Sequence, residues 1–169
     1  MSDCRAIDDL PEDEARAALR RCCGSSRWVE RMLAERPFKD RERLFEAAAR
    51  NWTDLGPADW NEAFSHHPRI GDPSRIAEAA ASTATWAAGE QAGAASAGDD
   101  IKAAIAQGNA EYEARFGRIY IVCATGKSGE ELLAILRERL ANDPQKELRI
   151  AAAEQAKITR LRLEKLLAP

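Results

Sequence analysis

Only two histidines occur in the chain, and they are adjacent, in Ser65-His66-His67-Pro68-Arg69-Ile70-Gly71-Asp72. A residue that precedes proline is pushed out of the helical region into extended geometry. His67 is therefore expected just past a helix end, on a stiffened turn, with a new helix opening at Asp72-Pro73, a good N-cap and first-turn pair. Such a place holds an imidazole rigidly while leaving it accessible, and an imidazole of ordinary pKa, about 6.5, suits proton transfer near neutrality. An exposed loop histidine without a role is the competing reading. A metal site is weaker still, because successive extended residues point opposite ways and no third His or Cys stands at ligand spacing.

Two further polar residues stand out against apolar helix faces. At ~100° per residue, Ile76, Ala79, Ala80, Thr83, Ala87, Glu90 and Ala94 fall on one stripe. Glu90 is then a carboxylate among small and apolar side chains. If buried, it must be hydrogen-bonded, paired or protonated. In the last predicted helix, Leu148, Ala151, Ala152, Gln155, Ile158, Arg162 and Leu166 line one face, which sets Arg162 inside an apolar stripe. A guanidinium there needs an anion or several carbonyl acceptors. A structural ion pair and recognition of an acidic or urea-like ligand both meet that need.

The elements that must position these groups are helical. Pro11 opens a stretch that stops near Gly24. Ser25 or Ser26 caps a helix that ends before Pro37, and Asp40 starts another ending near Leu55-Gly56. A short helix runs from Pro57 toward Pro68, a longer one from Asp72-Pro73 into the small residues Gly93 to Gly98, and another from Asp99 to Phe116-Gly117. Ser128-x-x-Glu131 is a capping box, and Pro144 begins a final helix to about Leu167. The Ala/Gly run from Ala92 to Gly98 reads as a flexible loop. One segment departs from the pattern: Ile119-Tyr120-Ile121-Val122-Cys123 is β-branched and aromatic, a strand by propensity, yet no other segment offers it a partner. Its backbone groups need other partners if it is buried. It is expected either to connect helices or to present a backbone edge to a ligand.

Composition narrows the class. The chain has 169 residues, net charge −3, 45% hydrophobic, 31% charged and 6% aromatic residues, with alanine prominent. These figures point to closely packed helices in a single domain over 1–169. Mixed charge argues against a nucleic-acid module. No apolar run approaches the ~20 residues of a membrane span, and the acidic start is unlike a signal peptide. The four cysteines, Cys4, Cys22, Cys23 and Cys123, have neither C-x-x-C nor zinc-like spacing and suit a reducing compartment. Gly126-Lys127-Ser128 lacks the upstream glycine of a phosphate loop.

Taken in order, His67-Pro68-Arg69-Ile70-Gly71, Gly89-Glu90-Gln91-Ala92-Gly93, Asn109 to Tyr112 leading to Arg115-Phe116-Gly117, and Lys157-Ile158 with Leu161-Arg162-Leu163 resemble one family. Gly24 to Trp28 and Arg36-Pro37-Phe38 extend the likeness over nearly the whole chain. The family is 2-oxo-4-hydroxy-4-carboxy-5-ureidoimidazoline (OHCU) decarboxylase. The resemblance implies an all-α, single-domain bundle of about seven to eight helices with one extended segment near 118–124. It implies a homodimer that uses no metal and no organic cofactor. It implies stereoselective decarboxylation of OHCU to (S)-allantoin and CO2 in urate degradation. His67 and Glu90 would be catalytic, and Pro68, Gln91, Ile121, Cys123 and Arg162 would bind substrate. Ala87 stands where several relatives carry serine. The C-terminus, Leu166-Leu167-Ala168-Pro169, is not a peroxisomal tripeptide, so a cytoplasmic enzyme is expected, with no nucleic-acid or membrane partner. A non-catalytic helical interaction module and a metal-dependent hydrolase built on His66 and His67 are the alternatives.

Overall fold

The computed structural model describes residues 3–72 and 81–169, and among them the chain is all-α. The described residues hold ten helices: α1 (Arg5–Asp8), α2 (Glu12–Cys22), α3 (Ser26–Ala34), α4 (Arg41–Thr53), α5 (Pro57–Ser65), α6 (Ala81–Glu90), α7 (Ala92–Ala95), α8 (Asp99–Phe116), α9 (Gly129–Leu140) and α10 (Pro144–Leu167). The two beyond the expected eight have simple origins. One is the single turn α1. The other arises because the chain breaks from α6 at Gln91 and resumes as α7, so the Ala/Gly run is partly helical rather than a loop. The helix predicted to start at Asp72-Pro73 lies, from Pro73 through stripe positions Ile76, Ala79 and Ala80, outside the described residues.

Cα positions group the chain into two compact units. The first comprises the residues up to His66 with Gln155–Pro169. Local chemistry sets its helix boundaries. The Ser25 hydroxyl accepts from the Trp28 amide at 3.3 Å and the Asp40 carboxylate from the Arg43 amide at 2.9 Å, satisfying donors that the first helical turn leaves open. Pro57 occupies the start of α5, where its missing N–H is no loss. Acidic residues fill the first turn of α2 and arginines its last, matching the helix dipole. Ile7, Leu19, Trp28, Met32, Leu44 and Phe64 are fully buried, and the indole of Trp28 donates to the Ala48 carbonyl at 3.1 Å. Burying the indole therefore leaves no orphan donor.

The second unit is His67–Glu154. Helix α8 ends on Gly117 in the left-handed region at φ 69°, a common glycine cap. Helix α9 begins with the predicted capping box, Ser128 and Glu131 reciprocally bonded. Helices α8 and α9 pack together around Ile105, Tyr112, Phe116, Leu132 and Leu136. Two glycines allow close approach. A Cβ on Gly108 would lie 2.6 Å from the Leu136 side chain, and one on Gly93 would lie 1.8 Å from the Lys127 carbonyl oxygen. The small residues of α7 thus serve packing against the start of α9.

Residues 119–124 form no strand, and none occurs among the described residues. Tyr120, Ile121, Val122, Cys123 and Ala124 are all buried. The β-type composition reflects burial on every side, and side chains take the place of a sheet ladder. The Ile121 carbonyl accepts from Arg139 Nη1 at 2.6 Å, the Cys123 amide donates to Glu154 Oε1 at 3.2 Å, and the Cys123 carbonyl accepts from Lys127 Nζ at 2.8 Å.

Candidate active site

The second unit gathers most of the predicted site residues on three segments. The first is the turn that follows α5. His67 and Pro68 are half-buried there, directly after the helix end, as the proline rule predicts. The turn is completed by the Asp72 amide, which donates to the Arg69 carbonyl at 3.2 Å, with Gly71 third at φ 78°. That is the position at which a type II turn requires glycine.

The second segment is the C-terminal end of α6. Glu90 is its last residue and is 9% exposed, and Ala87, one turn earlier, is buried beside it in sequence phase. Gln91 is buried too, and its side-chain oxygen accepts from the Gly71 amide at 3.0 Å. This bond ties the His67 turn to the helix end that carries Glu90.

The third segment is residues 119–124. Burial raises the Cys123 thiol above its ordinary pKa. Lys127 opposes the shift, while the charges of Glu154 and Glu90 add to it. The charge of the Glu90 carboxylate thus acts on the Cys123 thiol. The Ile121 carbonyl and both backbone groups of Cys123 already have protein partners, so the edge is far less open than a free ligand-facing strand would be.

Arg162 belongs to the first unit. It is 5% exposed, and its Nη1 donates to the Arg21 carbonyl at 3.1 Å. Its positive charge also acts on Cys23, whose thiol burial pushes up to about 12. A carbonyl is one of the acceptors that a guanidinium on an apolar stripe was expected to need. His66 is exposed, and Gly24 packs against it so closely that an added Cβ would lie 2.5 Å from the imidazole ring. Among the described residues, no group of three His, Cys, Asp or Glu side chains is placed to hold a metal ion.

Several supporting residues escape the sequence reading. Glu147 is fully buried. Its carboxylate accepts from Tyr112 Oη at 2.7 Å, from Arg139 Nε at 2.6 Å and from Asn142 Nδ2 at 3.0 Å. Arg139, 4% exposed, uses the same guanidinium to hold the Ile121 carbonyl. Asn109, Glu113 and Glu154 likewise support the three segments. A helical stripe read through Glu147, Ala151, Glu154 and Ile158, one position round from the stripe chosen above, would have shown two acids on an apolar face.

Comparison with known proteins agrees with this architecture. The profile of the family described as OHCU decarboxylase matches residues 8–164. The "Uric acid degradation bifunctional protein TTL" of Arabidopsis thaliana is 37% identical over 162 residues, which is 94% of this chain and 48% of that protein. The "2-oxo-4-hydroxy-4-carboxy-5-ureidoimidazoline decarboxylase" of Amia calva is 42% identical over 59 residues, 35% of this chain and 34% of that one. The chain thus spans about half the length of the first curated relative and matches about a third of the second. Among solved structures, OHCU decarboxylase crystallised in the presence of (S)-allantoin superposes with a TM-score of 0.77 at 32% identity, covering 95% of this chain and all of that one. An (S)-allantoin synthase shares the fold, with a TM-score of 0.70 at 17% identity over 98% of this chain and 54% of that one. With its family profile matched from residue 8 to residue 164, the chain belongs to the OHCU decarboxylase family.

Proposed function

We propose that this protein decarboxylates OHCU to (S)-allantoin and CO2 in urate degradation. The observation that carries the reading is the Gly71–Gln91 bond, which ties the turn bearing His67 to the helix end bearing Glu90, in a chain of this family. The chemistry needs no electron sink beyond the substrate. The pair released from the breaking C–COO bond forms a ring C=C bond, the pair of the adjoining C=N bond moves onto its nitrogen, which takes up a proton, and CO2 departs. The enol-like hydroxyl then gives up its proton and the neighbouring ring carbon gains one. Net, one proton replaces the carboxylate.

The protein's tasks are alignment of the breaking bond with the π system, stabilisation of the enol-like intermediate and delivery of the proton to one face. His67 handles the hydroxyl proton. Glu90 orients the substrate, its negative charge near the departing carboxylate favouring loss of CO2. Gln91 donates through its amide nitrogen, since its oxygen is engaged by Gly71. Arg162 offers a planar fork of donors to a carbonyl or ureido oxygen. Pro68, Ile121 and Cys123 form the walls.

We also propose that residues 1–169 act as a single domain of this family, supported by a match that runs through both compact units, and that the protein works as a homodimer in the cytoplasm. Four free, buried cysteines support a reducing compartment. Among the described residues no helix is long and apolar enough to cross a membrane.

A coupled assay from urate through 5-hydroxyisourate, followed by circular dichroism of the allantoin formed, tests the activity. One enantiomer should accumulate faster than in the spontaneous reaction, and His67→Ala should lower kcat by about 100-fold or more. A His67→Ala enzyme with near-wild-type rates would remove His67 from the chemistry.

A further inference from the structure

Side-chain contacts converge on the residues that follow His67. Arg69 Nε lies 3.0 Å from both carboxylate oxygens of Glu113, and Arg69 Nη2 is 2.9 Å from one of them. Asn109 Nδ2 donates to the Ile70 carbonyl at 2.9 Å, and Gln91 Oε1 accepts from the Gly71 amide at 3.0 Å. Three consecutive residues, Arg69, Ile70 and Gly71, are thus each held by a different side chain. Asn109 and Glu113 are four apart on α8, so a single helix face grips two of the three.

The kinds of contact indicate what they do. Arg69 and Glu113 are about one-third exposed, and such pairs add little to stability. Their forked geometry nevertheless fixes the direction of Arg69. Asn109 is 6% exposed, and its side-chain oxygen is buried with no hydrogen-bond partner. Of its two polar ends only the nitrogen is engaged, so the amide's hydrogen bonding is directed at Ile70 alone. Between Arg69 and His67 stands only Pro68, whose ring fixes φ, so the direction of the turn carries through to the imidazole.

We propose that Asn109 and Glu113 are positioning residues for the decarboxylation: through Ile70 and Arg69 they hold the turn that aims His67 relative to Glu90. They act through the turn and touch no substrate. The proposal rests on the reading of His67 and Glu90 as the catalytic pair, so its test includes a measurement that is independent of turnover.

Asn109→Ala and Glu113→Gln are compared with the wild-type enzyme by steady-state decarboxylation, thermal melting and NMR of the two imidazoles, with His67 assigned from His67→Gln. Displacement of a reacting group by a fraction of an ångström to 1 Å predicts a fall in kcat of about 10- to 100-fold, with KM within about twofold. The His67 resonances should shift or broaden while those of His66 stay in place. Glu113→Gln should melt at the wild-type temperature, so the experiment remains readable if Asn109→Ala folds poorly. Wild-type kcat with unmoved His67 signals in Glu113→Gln would overturn the proposal, as would a loss of activity matched by a loss of folded protein with no change at His67. An inactive wild-type enzyme would defeat the decarboxylase reading, while the imidazole spectra would still decide whether Asn109 and Glu113 fix the turn.

Discussion

Two non-helical stretches of the second unit carry predicted site residues, and they are held in opposite ways. Residues 67–72 are half-buried apart from buried Ile70 and exposed Gly71, and they are pinned by contacts that include a partly exposed ion pair, Arg69 with Glu113. Residues 119–124 are mostly buried and pinned by groups from the interior, chief among them Arg139, whose own charge is balanced by the fully buried Glu147. The first stretch touches the core at one residue, Ile70, which is buried with Ile105 and Tyr112, and is exposed at Gly71. The second is continuous with the core around Tyr112, Tyr120 and Leu132, so loosening it disturbs the fold itself. The first stretch is therefore anchored to the core through Ile70 alone, and the second is buried in it along nearly its whole length.

The largest effect expected from this contrast is that of Glu147→Ala. It leaves the Arg139 guanidinium buried without its carboxylate, which typically costs about 3–5 kcal/mol. Urea denaturation should show that loss. A change below about 1 kcal/mol would mean that the buried pair is not what anchors residues 119–124.

Next comes Gly71→Ala, on the other stretch. The added Cβ meets only Ile105, 3.8 Å away, so space is not the obstacle; the φ of 78° is. An L-residue there costs about 1–2 kcal/mol, and the Gly71–Gln91 bond would be strained with it. Activity should fall more than stability, because the turn carries His67. If stability fell and kcat did not, the two stretches would differ less than their contacts indicate.

The smallest effect concerns Cys123. Burial, reinforced by the charges of Glu154 and Glu90, raises its thiol pKa above 9.0 in the folded chain. Below that value both folded and unfolded thiols are neutral and pH makes no difference. Above it the unfolded chain releases its proton first, so Cys123 contributes a loss of stability as pH rises toward its folded value. Alkylation of Cys123 by iodoacetamide at pH 8 should be much slower than in the urea-unfolded chain. Equal rates would show that residues 119–124 open readily and are not scaffold.

Much of the helical architecture is legible in the sequence because it depends on neighbours. Ser25, Asp40, Pro57, the Ser128–Glu131 box and Pro144 all act within one helical turn, and each marks a real boundary. Pro68 and Gly71 mark the His67 turn for the same reason. Glu90 was legible as a polar group set against small residues, and it is buried. The split of α6 from α7 at Gln91 was not legible. Neither was the packing role of Gly93, which exists only because the Lys127 carbonyl, far along the chain, comes against it.

The sequence by itself determined that the chain is helical, where most helices begin and end, and which polar residues stand against apolar faces, since these follow from interactions spanning a few residues. Tertiary structure alone decided what satisfies the Ile121 carbonyl and the Cys123 amide. Their partners, Arg139 and Glu154, lie 18 residues beyond Ile121 and 31 beyond Cys123 respectively. Local periodicity holds no record of such separations. A strand-like segment without a strand partner must still pair its buried donors and acceptors; here α9 and α10 supply side chains to the Ile121 carbonyl and the Cys123 amide, while nearby Lys127 serves the Cys123 carbonyl.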